Sequence, residues 1–131
     1  MPERLHQLET NISELHSLRE SYKFEDIKGD LTRQWALRYG LLESIQITID
    51  ISCHLVVHLN LGNAKSYSDC IDLLQKFGYL DKPLSDNLKS MVGLRNILVY
   101  EYVNVDLEQL YTMLDHLNDF GSFSKAVAPY L

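Results

Sequence analysis

The spacing of apolar residues limits what this chain can fold into more than any other feature of its sequence. Leu5, Leu8, Ile12, Leu15 and Leu18 recur at intervals of three and four residues, the pattern of one face of an α-helix. Glycine and proline, which interrupt helices, occur only six and three times in 131 residues. Strand-rich domains need a period of two and more frequent turns, so the sequence predicts an all-α protein.

Helix start and stop signals divide the chain into five predicted helices. They cover residues 1–22, 30–60, 66–78, 83–102 and 106–120, and Asp30 is the expected N-cap of the long second helix. The segment after Gly121 loses its periodicity, so we expect it to fray or to dock loosely. Because the connections are short, residues 1–131 should form a single up-and-down bundle of about five helices.

Charge and hydropathy exclude several classes of protein. Twelve Lys and Arg against eighteen Asp and Glu give a net charge of -6, so long-range attraction to nucleic-acid phosphates is unfavourable and any nucleic acid must be held locally. The N-terminal segment MPERLHQLET lacks the apolar core of a signal peptide, and no segment approaches the ~20 apolar residues of a membrane span. We therefore expect a cytoplasmic protein that does not enter a membrane.

The two cysteines, Cys53 and Cys70, lie inside apolar helical segments and have no CxxC or CxH spacing. A chain of this length can bury enough surface to fold without a disulfide or metal. We therefore expect both to be reduced thiols in the core.

One ten-residue segment, GLRNILVYEY at residues 93–102, resembles the signature of the HEPN superfamily and in particular its HepT-like toxins. In that signature an Arg, usually followed by Asn, precedes a His by five positions, and a Tyr follows two residues after the His. Arg95, Asn96 and Tyr102 match it, whereas Tyr100 occupies the position of the His. The segments ITIDISCHLV, SYSDCIDLLQKFGYL and VDLEQLY are also similar to the family, so the resemblance covers residues 30–117.

The resemblance implies a HEPN-like bundle that acts as a homodimer and cleaves RNA without a metal or other cofactor. It also implies a partner, a minimal nucleotidyltransferase (MNT) antitoxin, which silences the toxin by transferring AMP from ATP to the Tyr that follows the His. The matching residue here is Tyr102. ATP would therefore reach this chain only through the partner.

The chemistry of RNA cleavage gives each motif residue an expected role. Arg95 carries a permanent charge in a fork that matches a phosphate. A histidine at position 100 would serve as acid or base, but tyrosine, with a reference pKa near 10, is a poor base at neutral pH. Tyr100 therefore predicts weak or absent cleavage, and a non-catalytic HEPN subunit that binds or is modified by a nucleotidyltransferase is the alternative. Helical spacing puts Arg95 and Tyr102 on one face but Tyr100 about 140° from Arg95, so one helix alone makes a poor site and a dimer is expected.

Structural interpretations of the same residues stay open. Arg95 could pair with Glu101 on the helix surface, Tyr100 and Tyr102 could be packing residues, and Asn96 could simply face solvent.

A second group, Asp50, His54 and His58, is spaced at i, i+4 and i+8 on one helical face. Two imidazoles and a carboxylate at this spacing can bind zinc, but no HExxH base and no fourth ligand accompany them. We predict no metal site. Asp50 and His54 either line a cleft or a subunit contact, or they are structural.

Overall fold

The computed structural model describes residues 1–100 and 106–131. These residues form seven α-helical segments and no strand, which confirms the all-α class. The segments are α1 (Pro2–Ser21), α2 (Phe24–Lys28), α3 (Leu31–His58), α4 (Tyr67–Lys76), α5 (Lys82–Tyr100), α6 (Leu107–Met113) and α7 (Leu117–Val127).

Helix α3 is the centre of the bundle and contacts α1, α4 and α5. Its N-cap is Asp30, whose carboxylate accepts a hydrogen bond from the backbone nitrogen of Arg33 at 3.2 Å. Its inner face carries fully buried side chains such as Leu37, Leu41 and Ile45. By length and composition α3 could cross a membrane, contrary to the expectation that no segment qualifies. However, 56% of its most apolar window is buried by the other helices, as in the core helix of a bundle.

Two glycines are required by the packing and by a turn. A Cβ atom on Gly40 of α3 would lie 2.9 Å from the Cδ2 atom of Leu15 on α1, so the absence of a side chain allows the two helices to approach closely. Gly78 has a φ of +84° and follows the end of α4. Such a backbone conformation is strained for other residues, and it reverses the chain toward α5.

The C-terminal segment differs from its expectation. The predicted last helix is divided into α6, a 3-10 turn at Leu114–His116, and α7. Helix α7 packs against α1 and α5, and Phe120, Phe123 and Val127 are completely buried. The expectation of a loose tail was wrong because these apolar residues still recur at intervals of three and four. The short helix α2, which buries Ile27, was also not predicted.

The expectation of two reduced cysteines was also wrong. Cys53 on α3 and Cys70 on α4 form a disulfide, with Cα atoms 5.1 Å apart. Helices α3 and α4 pack against each other, and this packing brings the two residues into the range that a disulfide spans. Neither residue lies in a local motif that reveals the pair, because 17 positions separate them in the sequence.

Candidate active site

Arg95 lies half-buried on α5, where α3 and α4 converge on it. Its Nε donates a hydrogen bond to the Oε1 atom of Gln46 on α3 at 3.0 Å. Its Nη1 donates to the Oδ1 atom of the neighbouring Asn96 at 3.2 Å. The centre of the guanidinium group lies 5.4 Å from the ring centroid of Tyr67 at the start of α4, within range of a cation–π contact. The position of the Arg95 side chain is thus set by three helices.

A shallow cleft of about 450 Å³ opens beside Arg95. One wall is α5 and the other is the segment that leads into α4. The lining residues are Lys65, Ser66, Tyr67, Ser68, Val92, Arg95, Asn96 and Tyr100. The cleft therefore combines two cationic side chains with two aromatic rings and several hydroxyl and amide groups, a set that suits a phosphate chain with attached bases.

Arg95 and Tyr100 border the same cleft although helical spacing separates them by about 140°. The cleft follows the surface of α5 from Arg95 past Asn96 to Tyr100, and the Ser66–Tyr67 segment of the same chain lines its other side. The inference that one motif helix forms a poor site overlooked this second wall. Tyr100 is 76% exposed, so it does not pack in the core of the described chain.

Asp50 reaches Arg95 through Gln46 and does not line the cleft itself. Its Oδ1 atom accepts a hydrogen bond from the Nε2 atom of Gln46 at 2.8 Å, and its Oδ2 atom lies 2.5 Å from Nη2 of Arg4 on α1. Four side chains, Arg4, Asp50, Gln46 and Arg95, therefore form a continuous polar chain across α1, α3 and α5.

His54 takes no part in this series of polar contacts. It is exposed and stacks on His58, with ring centroids 5.7 Å apart and planes at 9°. Residues 1–100 and 106–131 contain no group of three His, Cys, Asp or Glu side chains able to hold a metal ion. The two members of the predicted Asp50–His54 pair thus have different surroundings, and neither lines the cleft.

Tyr102, the expected acceptor of AMP, and Glu101, the alternative partner of Arg95, lie outside the described residues.

The α4 wall of the cleft and the role of Gln46 were not predicted from the sequence. Lys65 and Tyr67 flank Ser66, the N-cap of α4, and nothing in their local pattern connects them with α5. Gln46 did carry a signal, since it precedes Asp50 by one helical turn on the same face.

A family model described as "Ribonuclease HepT-like" matches residues 8–127. The chain belongs to the HepT-like family. It is 38% identical over 97 residues to the mRNA nuclease HepT of Shewanella oneidensis, and the match covers 73% of each protein. This agrees with the resemblance carried by the motif.

Solved structures show the same fold. A crystal structure of a toxin–antitoxin with AMP-PNP matches 96% of this chain and 94% of its own, with a TM-score of 0.86 and 29% identity. The tri-AMPylated HEPN toxin of Shewanella oneidensis, solved in complex with MNT antitoxin, matches 98% of this chain and 99% of its own, with a TM-score of 0.83 and 30% identity. This HepT-like chain therefore has the HEPN fold along nearly its whole length.

Proposed function

We propose that this chain is the toxin of a toxin–antitoxin pair and that its cleft is the site of a metal-independent endoribonuclease, weakened by Tyr100. The observation that carries the proposal is the Arg95 guanidinium, held at the edge of an open cleft with its Nη2 side free of the hydrogen bonds to Gln46 and Asn96. The nuclease relative supports the same chemistry.

The reaction needs no group beyond those of the protein and the RNA. The 2′-hydroxyl oxygen attacks the adjacent phosphorus as a base removes its proton, and the bond from phosphorus to the 5′-oxygen breaks as that oxygen gains a proton. Negative charge grows on the phosphoryl oxygens, where the fork of Arg95 offers two donors. Lys65 would hold a neighbouring phosphate, and Tyr67 would stack on a base.

Tyr100 stands where the family has its acid–base histidine. A phenol can donate a hydrogen bond to the leaving oxygen, but it is a poor base at neutral pH. Because Tyr100 is 76% exposed at the cleft, replacing it with histidine requires no repacking of the core.

We propose a second copy of the chain and an MNT antitoxin as partners, with both proteins in the cytoplasm. An exposed apolar row on α3, the α3 stripe (Leu31, Trp35 and Tyr39), supports the dimer because the three side chains are 57%, 60% and 65% exposed. The hydroxyl of Tyr39 donates to Glu43, which lowers the pKa of that carboxyl and raises the pKa of Tyr39. This bond fixes the ring on the outer face of α3.

The antitoxin would silence the toxin by adding AMP to Tyr102. The phenol oxygen attacks the α-phosphorus of ATP, pyrophosphate leaves, and the phenolic proton passes to a base. The tri-AMPylated state and the MNT partner of the Shewanella oneidensis toxin support this proposal.

The second candidate function is a non-catalytic HEPN subunit that a nucleotidyltransferase binds or modifies. The observation that favours it is the presence of Tyr100 at the position of the family's histidine.

Cleavage of RNA by the protein and by its Tyr100→His variant, in the presence of EDTA, tests the proposal. We expect the variant to cleave roughly 10²- to 10⁴-fold faster, the range typical of an acid–base group. Arg95→Ala in the Tyr100→His background is the control and should abolish the activity. If the variant shows no cleavage above this control, the chain is a non-catalytic subunit.

A further inference from the structure

We propose that Gln46 is a positioning residue for Arg95 and that Asp50 and Arg4 orient Gln46. The inference rests on the proposed ribonuclease function and concerns the same site. A continuous polar chain across α1, α3 and α5 supports it. The three contacts in this chain measure 2.5 Å from Arg4 to Asp50, 2.8 Å from Gln46 to Asp50 and 3.0 Å from Arg95 to Gln46.

The amide of Gln46 suits this place because it is both an acceptor and a donor. Both oxygens of Asp50 act as acceptors, one for Gln46 and one for Arg4, so the Gln46 amide turns its NH₂ group toward Asp50 and its oxygen toward Arg95. Asp50 thereby determines which end of the amide Arg95 contacts. Arg4 offsets the negative charge of Asp50, which lies half-exposed beside the amide.

The bond to Gln46 orders Arg95 without using the fork. It occupies the Nε–H, whereas the terminal Nη groups remain beside the cleft, where one contacts Asn96. An arginine side chain that is not held in place loses rotational freedom about several bonds when it binds a phosphate. Fixing the Nε–H in advance reduces that loss at the step where the phosphoryl charge develops. Gln46 thus acts through Arg95 and has no contact with substrate.

Gln46→Met in the Tyr100→His background is the principal test. Methionine is unbranched and of similar length but offers neither hydrogen bond. We expect kcat to fall roughly tenfold while KM changes less than about twofold, because the other cleft residues still bind RNA. A retained thermal midpoint shows that the bundle is intact. A change in KM alone, with kcat maintained, would overturn the inference.

A second readout does not depend on activity. The Nε–H of Arg95, assigned by its loss in Arg95→Lys, should exchange slowly with water in the parent protein and at least several-fold faster in Gln46→Met. If it exchanges equally fast in both proteins, Gln46 does not hold Arg95. This measurement decides the contact even if no variant cleaves RNA, so failure of the proposed function and failure of this inference can be distinguished.

Two arginines on α1 allow a matched test of the contact between Arg4 and Asp50. Arg4 pairs with Asp50, whereas Arg19 pairs with Asp115, and neither residue of this second pair lines the cleft; the side chains of the two arginines are 42% and 41% exposed. In the Tyr100→His background, Arg4→Ala should lower kcat about threefold and speed the exchange of the Arg95 Nε–H. Arg19→Ala in the same background should leave kcat and the exchange rate unchanged. If the two substitutions changed kcat and the exchange rate equally, α1 would serve only in packing, and Arg4 would have no part in orienting Gln46.

Discussion

Arg95 on α5 and Gln46 on α3 are 49 positions apart in the sequence and share a hydrogen bond of 3.0 Å from Nε to Oε1. The motif Arg therefore depends on a residue outside the motif. The contact leaves the terminal nitrogens of Arg95 beside the cleft, in line with a role in stabilising charge on a phosphate.

The geometry of this contact predicts that lysine cannot replace Arg95. Arg95→Lys in the Tyr100→His background should lower cleavage roughly 10²- to 10³-fold, as for the loss of one oriented donor to a developing charge. Lysine keeps the charge but has no Nε–H for Gln46 and no fork for the phosphate. Initial rates on a defined RNA measure the effect. Lys125→Arg, an exchange on the exposed surface of α7, is the control and should change nothing.

The disulfide should be present in the purified protein and should stabilise it. We expect the intact mass to lie two hydrogen atoms below that of the reduced chain. Because 17 positions separate Cys53 from Cys70, reduction should lower the free energy of unfolding by about 3 kcal/mol. Urea unfolding with and without dithiothreitol measures this loss.

Cys53→Ser is the matched control for that experiment, since its stability should not respond to dithiothreitol. Quantitative alkylation of both cysteines without prior reduction would show that the thiols are free.

The elements that the sequence predicts well are those whose evidence is local. Asp30 caps α3 as expected, and the helix predicted over residues 66–78 is present as α4, Tyr67–Lys76. The Cys53–Cys70 bond, the second wall at Lys65–Tyr67 and the Gln46–Arg95 contact all depend on how α3, α4 and α5 pack. No periodicity along one helix specifies which residues of another helix will face it, so these features required the fold.

Helix α7 should be an integral part of the core. Phe123 is completely buried, so Phe123→Ala should lower the free energy of unfolding by about 3 to 5 kcal/mol through lost burial and the cavity left behind. Ser122→Ala, next to it on the exposed side, should change stability by less than about 0.5 kcal/mol. The denaturant midpoints of the two variants measure this difference. Equal midpoints would mean that α7 does not pack stably against the rest of the bundle.

The α3 stripe should hold two copies of the chain together. Light scattering should give twice the chain mass of 15.2 kDa. The double substitution Trp35→Ser and Tyr39→Ser removes two side chains that are 60% and 65% exposed, so it should yield a monomer with unchanged helix content. Phe77→Ser changes an exposed aromatic residue outside the α3 stripe and should leave the dimer intact. A parent protein with the mass of one chain would refute the dimer.

Tyr102 should be the residue that the antitoxin modifies. The helical spacing of the sequence predicts that position 102 lies on the face of Arg95, two turns further along, and an adenylyl group on that face would place a phosphate and a base where we propose that RNA binds. After incubation with an MNT antitoxin and ATP, intact-mass analysis should show added AMP. In the Tyr100→His background the modified protein should lose its cleavage activity.

Tyr102→Phe should gain no AMP, because phenylalanine lacks the attacking oxygen. Tyr100→Phe is the matched control: Tyr100 also presents a phenol at the cleft and is 76% exposed, so accessibility alone would make it an acceptor. If Tyr100→Phe still gains AMP and Tyr102→Phe does not, the antitoxin selects position 102 and not merely an exposed phenol. If Tyr102→Phe gains the same mass as the parent, the acceptor is another residue, and Tyr100 is the first to examine.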